Sequence, residues 1–481
     1  MKKIVLNKIV ITGIMICLGL NETFGQQRAD SLMHYLDIAE KNNPAVLQKF
    51  TEYKAALQKV PQAGSLPDPE LNVGVFLKPM ELLGGSQVAD IKLMQMFPWF
   101  GVLKNAKDEM SLMAKARFEA FRDAGLQTAY DVQRTWNDLE KVRQNIRITQ
   151  ENITLLNTIQ RLMLVKFRVA SAGKVNIARP STPAGSSMNN VTTTGSGMSS
   201  MGSGNTQSTS TAMAGASMTG GSMGEQAGGS GLSDLYRIQM ETNELENSLA
   251  LLQDQETTIA ARFNSYLNRP MESQVSTPEV LLPDSSGFIL QALSDTLLSE
   301  NPMLGMIRFE GQSAESRKQM VKRMGYPMVG IGVDYALINK SAMSTSPMNG
   351  NDMIMPMISV TLPIYRKKYK SMIKEAELMK TASELKYQAT GNTLKTEYYA
   401  AMQLYRDASR RIKLYGKQSN LARKSLDITT KSFSASGAGL TDLLLIRRQL
   451  LDYEMKEVEA IADYNTAIAR LKRLTAHSET E

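Results

Sequence analysis

Sulfur carries most of the chemistry open to this chain, and it is thioether rather than thiol. Residues 176–230 form a Gly/Ser/Thr/Ala-rich stretch in which Met188, Met198, Met201, Met213, Met218 and Met223 are the only soft donors. Thioethers favour Cu(I), and its heavier analogue Ag(I), over zinc or cobalt. The run has no cysteine or histidine to broaden that choice. The chain as a whole is rich in methionine, with 31, so capture of a soft cation, a plain tether and a docking segment for a partner all remain open.

A second set of thioethers sits in alternating segments. In "DIKLMQMF", Lys92, Met94 and Met96 oppose Ile91, Leu93 and Phe97. In "MIMPMISVTL", Met353, Met355 and Met357 oppose Ile354, Ile358, Val360 and Leu362. These methionines are read as lumen-facing relay sites or as adaptable filler, and a one-residue slip in register would reverse both sets. Pro356 sits awkwardly in a paired strand and is expected at its rim. Asp234 and Asp442 recur in "GLSDLYRI" and "GLTDLLLI". Repeated around a symmetry axis, such acids make a cation-favouring gate; the alternative is a helix cap with Ser233 or Thr441.

Other chemistry is poorly served. Cys17 is the only cysteine and lies in the amino-terminal apolar run, while His34 and His477 are the only histidines. A thiolate metal site, a disulfide, a cysteine nucleophile and a Ser-His-Asp triad are therefore not expected. Acids such as Glu397 and Asp407 lie on solvated helix faces, so no enzyme is expected. The net charge of +8 is spread along helical stretches rather than clustered with aromatics, which argues against nucleic acid.

The elements that position these groups begin after residues 1–25, read as a cleavable signal peptide: Lys2, Lys3 and Lys8, then "IVITGIMICLGL", then "NETFG". The apolar run is too short to span a bilayer. "IMI" before Cys17 lacks the small residue that lipidation needs, so no lipid anchor is expected.

The rest reads as two copies of one pattern. "NNPAVL" returns as "ENPMLG", "LPDPELNVGVFL" as "YPMVGIGVDYAL", "QMFPWFGVLKNAKDE" as "VTLPIYRKKYKSMIKE", and "GLSDLYRI" as "GLTDLLLI". The first repeat spans 26–270, with strands about 70–78 and 89–97 and long helices about 101–170 and 232–266. The second spans 271–481, with strands about 328–338 and 353–363 and long helices about 366–434 and 440–475. In the strands, Leu71, Val73 and Val75 alternate with Asn72 and Gly74, as a half-buried or lipid-facing strand requires. In the helices, Leu394, Tyr398, Ala401, Tyr405, Ala408, Ile412 and Tyr415 make a coiled-coil seam, and Val132, Trp136, Leu139, Val142 and Ile146 a similar stripe. The fold class is thus mainly α with membrane β. Four strands per chain cannot close on themselves, and three chains would supply a 12-stranded barrel continued by a long periplasmic α-helical barrel.

The ordered set of "FPWFG", "LPIYRKKY", the Asn-Pro pairs, "LNRP" and the paired Gly-Leu-Ser/Thr-Asp-Leu turns resembles the TolC-like outer membrane efflux factors, with "FPWFG" most similar to their heavy-metal branch. That resemblance implies a homotrimer in outer membrane lipid with a periplasmic extension. It implies a periplasmic adaptor and an inner-membrane pump as partners. It also implies a passive exit duct without a resident cofactor, carrying Cu(I)/Ag(I) or other heavy-metal cations. A general small-molecule or drug duct is the alternative within the class, and a periplasmic coiled-coil spacer or adaptor the alternative outside it. The 176–230 insert interrupts the first of the two turns, which places it at the periplasmic tip beside Asp234. Its composition cannot offset ordering entropy, and it is expected to be disordered.

Overall fold

The computed structural model describes residues 32–82, 84–172, 230–284, 298–345, 347–435 and 439–476. The 1–25 segment and the 176–230 insert, apart from Ser230, lie outside these residues, and so do the six methionines of the insert.

The chain runs α1 (Leu32–Asn42), α2 (Pro44–Gly64), β1 (Glu70–Leu82), β2 (Gly85–Phe97), α3 (Val102–Ala172), α4 (Ser230–Tyr266), α5 (Pro302–Met324), β3 (Met328–Asn339), β4 (Met353–Thr361), α6 (Arg366–Ser434) and α7 (Leu440–Leu474). The order α2-β1-β2-α3-α4 recurs as α5-β3-β4-α6-α7. Helices α3 and α6 have 71 and 69 residues and contain no proline. At about 1.5 Å per residue each is roughly 105 Å long.

Each long helix is covered by one set of shorter helices near the sheet and by another beyond it. Near the sheet, α2 and α5 flank α3: Phe50 meets Phe121 at 5.3 Å between ring centroids, and Ser313 donates to the Glu109 carbonyl at 3.3 Å. Toward the other end, α4 and α7 take over. There Ile148, Leu156 and Ile159 of α3 share a core with Ile238 and Leu245 of α4 and Leu443, Leu450 and Leu451 of α7. Helix α6 is paired likewise, first with α5 through Lys380–Glu315 and Lys386–Glu310, then with α7 through Arg411–Asp463 and Arg423–Glu454.

The Asn-Pro pairs explain how two short helices cover one long one. Asn43 caps α2, its Oδ1 accepting from Ala45 N at 2.9 Å, while its Nδ2 donates to the Tyr266 carbonyl at 2.9 Å, the last residue of α4. Asn301 repeats this for α5: Oδ1 accepts from Met303 N at 3.0 Å and Nδ2 donates to the Leu474 carbonyl at 3.0 Å, the last residue of α7. One buried amide thereby satisfies a free N–H at one helix start and a free carbonyl at another helix end. Proline follows because its absent N–H costs nothing in the first turn. At the first splice, Tyr35, Trp136 and Phe263 pack together, with Tyr35 and Phe263 edge-on at 5.1 Å.

The four strands form one antiparallel sheet in the order β1-β2-β3-β4. Strands β1 and β2 run further than the alternation indicated. Past an irregularity between Val75 and Met80, where Pro79 sits, Met80, Glu81 and Leu82 pair again with Gln87, Ser86 and Gly85. Gly85 closes this hairpin at φ +127°, with a Cβ there falling 2.4 Å from the Asn339 carbonyl oxygen, so only glycine fits. Strand β4 ends at Thr361 rather than 363. Pro356 does not mark its rim but lies within it, opposite Val333. In the single chain β4 is an edge strand, where a missing N–H is tolerated.

Candidate functional site

The sheet has two faces of opposite character. Cross-strand partners share a face, so the register assigns each residue. Leu71 lies opposite Leu93, which lies opposite Val333, then Pro356; Val73 opposite Ile91, Tyr335 and Ile354. With Phe97, Val329, Ile331, Ile358 and Val360 these make an apolar face, interrupted by Gln95, which lies opposite Ile331. It is open to the surroundings of the single chain: Val73 is 62% exposed and Ile358 79%. Soluble chains seldom leave so large an apolar patch uncovered. At the helix end of the sheet Trp99 stacks on Tyr326, with Phe100 and Tyr365 exposed beside them, the kind of aromatic girdle that marks a membrane interface. Among the described residues no helix is long and apolar enough to cross a membrane.

The opposite face is polar. Lys92 lies 2.9 Å from Asp90 and 3.7 Å from Asp334. Met94, Met96, Met353, Met355 and Met357 all fall on this face, which the register fixes: Met94 opposite Gly332, Gly332 opposite Met357, Asp334 opposite Met355, Ala336 opposite Met353. Met328, opposite Thr361, belongs to the same face and was not among the residues singled out from sequence. Alternation in β3 already sets it with Gly330 and Gly332, opposite Val329 and Ile331.

The other end of the molecule holds the two acids. Asp442 lies in the first turn of α7, whose cap is Gly439, with no side-chain capping bond. Asp234 is the fifth residue of α4. Both acids thus stand within the first turns of the returning helices rather than at the position before them. Asp442 is exposed and Asp234 partly so. Arg237 donates from Nη1 to Thr441 Oγ1 at 3.1 Å, tying the two returning helices together at this tip. Sequence reasoning missed Arg447, which is 1% exposed amid the tip leucines and pairs with Glu241. Burial pulls its guanidinium pKa down against the pull of Glu241. Along α3, burial raises the carboxyls of Glu109 and Asp123, and pushes Glu140 up to about 7.

Two sheet edges free among the described residues, one bare apolar face and helices roughly 105 Å long make an architecture that matches the TolC-like fold. No protein-family model matches the chain, and no curated protein matches it. Solved structures do. The outer-membrane channel OprN aligns at 12% identity with a TM-score of 0.68, covering 95% of this chain and 93% of its own. VceC, an outer membrane protein of Vibrio cholerae, aligns at 12% identity and 0.66, covering 92% and 95%. CusC, whose structures describe folding and transmembrane channel formation, aligns at 12% identity and 0.65, covering 93% and 92%. Likeness at this identity establishes the fold.

Proposed function

We propose that this protein is the outer membrane exit duct of a tripartite efflux system, working as a homotrimer and performing no chemistry of its own. The observation that carries the reading is the sheet: four antiparallel strands with an uncovered apolar face and unpaired edges at β1 and β4. In hydrocarbon those edges need partners, and only other strands can supply them. An even count keeps β4 of one subunit antiparallel to β1 of the next, and a homotrimer would close twelve such strands. The helices then continue the bore into the periplasm, and the tip carrying Asp234 and Asp442 meets the adaptor and the inner-membrane pump. A coiled-coil spacer would have no use for the apolar sheet face.

For cargo, the reading is a soft heavy-metal cation, Cu(I) or Ag(I). Its support is the thioether content of the polar sheet face and of the 176–230 insert, with Met188, Met198, Met201, Met213, Met218 and Met223 catching cations at the inner mouth. Reconstituted protein is expected to open ion-conducting pores in planar bilayers and to run as a heat-modifiable trimer; a monomer that opens none would refute the duct. A strain lacking the protein is expected to become sensitive to copper and silver. Deleting residues 176–230 should lower copper tolerance with the trimer intact, whereas sensitivity to organic dyes alone would transfer the cargo to organic compounds.

A further inference from the structure

In the regular part of the sheet every methionine, namely Met94, Met96, Met328, Met353, Met355 and Met357, lies on the polar face, and the apolar face has none. Used only as apolar filler, methionine would suit the lipid side at least as well. Instead it stands among Asp90, Lys92, Asp334 and Ser359, where its hydrophobicity gains little.

Glycine makes room for the sulfurs. Gly330 and Gly332 of β3 are bare backbone between β2 and β4. Met94 and Met357 flank Gly332, two strand spacings or roughly 10 Å apart. Met96 crosses over Gly330, with its Sδ 2.5 Å from where a Cβ there would stand, and accepts from Ser359 Oγ at 3.8 Å. A side chain on Gly330 would evict it. Met94 and Met96 are two residues apart on the same face, so three flexible thioethers surround one shallow floor. One row along, Asp334 is only 9% exposed and its Oδ1 has no hydrogen-bond partner among the described residues. Its other oxygen lies 3.7 Å from the Lys92 ammonium, which leaves Oδ1 as the acceptor that a second cation can meet.

We propose that Met94, Met96 and Met357, over the floor of Gly330 and Gly332, form a three-thioether site for a soft monovalent cation, Cu(I) or Ag(I), with the Asp334 carboxylate as counter-charge. The inference rests on the duct reading, which makes this face the lumen wall and repeats the site three times around the bore. Neutral thioethers as ligands, with a counter-charge one row away that Lys92 already shares, hold such an ion loosely, which suits a wall past which cargo must move.

The test is a titration of purified full-length trimer with silver nitrate, followed by calorimetry and by the methyl spectra of ¹³C-labelled methionine. Isosteric replacement with M94L/M96L/M357L is expected to remove one silver equivalent per chain relative to wild type, and each single change to weaken that site at least tenfold. Zinc should not compete. In wild type the methyl signals of Met94, Met96 and Met357 should shift together. An unchanged count in the triple variant, or silver shifts that spare these three methyls, would overturn the site. The methyl spectra decide the matter even if the triple variant fails to assemble. Bilayer conductance of the same wild-type sample separates the two ideas: pores without silver binding sink only the site, and silver binding without pores sinks only the duct.

Discussion

Glu140 lies 7% exposed beside Trp136, whose indole N–H bond and the nearby Arg143 charge only partly offset the burial that raises its carboxyl to about 7. A carboxyl raised in the fold is held there as the acid. Its burial costs nothing below the unfolded value of about 4.5 and weakens the fold as pH climbs from there toward 7. Glu140→Gln keeps the shape and removes the titration. It is expected to stabilise the protein above pH 7 by on the order of 2 kcal/mol and to change nothing near pH 4. Thermal melts across that range check it; equal gains at both ends would mean that the burial is not what perturbs the group. Residue-scale function was unevenly legible. The thioethers of β2 and β4 were visible from alternation, but Arg447 was not, because its burial is set by leucines of helices far apart in sequence.

At the scale of elements, the two Asn splices divide the helical part into its working lengths. Asn301 does two jobs, and substitutions separate them. Asn301→Asp keeps an acceptor for Met303 N but offers no N–H to the Leu474 carbonyl, and Asn301→Ala loses both. The alanine variant is expected to cost about 2 kcal/mol, since a cap and a buried carbonyl bond contribute about 1 kcal/mol each, and the aspartate variant at least as much at neutral pH, since it keeps the cap but sets a buried carboxylate oxygen against the Leu474 carbonyl. Amide exchange at Met303, measured beside thermal melting, distinguishes the two losses: it should accelerate only in the alanine variant. The Asn-Pro repeat was plain in the sequence as a recurrence. Its purpose was not, because the carbonyls it reaches, those of Tyr266 and Leu474, lie 223 and 173 positions away.

For the whole molecule, the proposed duct depends on contacts between chains. Val73 of β1 and Ile358 of β4 lie on the two edges of the sheet, separated within one chain by three strand spacings and a four-residue offset along the strand, roughly 20 Å in all. In a closed ring those edges become neighbours across each subunit boundary. The double variant Val73→Cys/Ile358→Cys, treated in outer membranes with a bismaleimide spanning less than about 10 Å, is expected to yield covalent dimers and trimers on denaturing gels. Cross-linking confined to single chains would rule out an edge-to-edge ring.

Periodicity within the chain determined much of this fold by itself. Alternating residues fixed which side of each strand is apolar, and the 3-and-4 spacing of Val132, Trp136 and Leu139 and of Leu394, Ala401 and Ala408 fixed which side of each long helix is buried. Those signals are local, because a strand repeats every two residues and a helix every 3.6. The recurrence of both patterns placed the chain in two equivalent halves. Tertiary structure alone decided the register that gathers Met94, Met96 and Met357 around bare glycines, and the meeting of Asn43 with the end of α4. Those are relations between segments far apart in sequence, and hydrogen-bond pairing and side-chain packing set them only once the segments lie side by side.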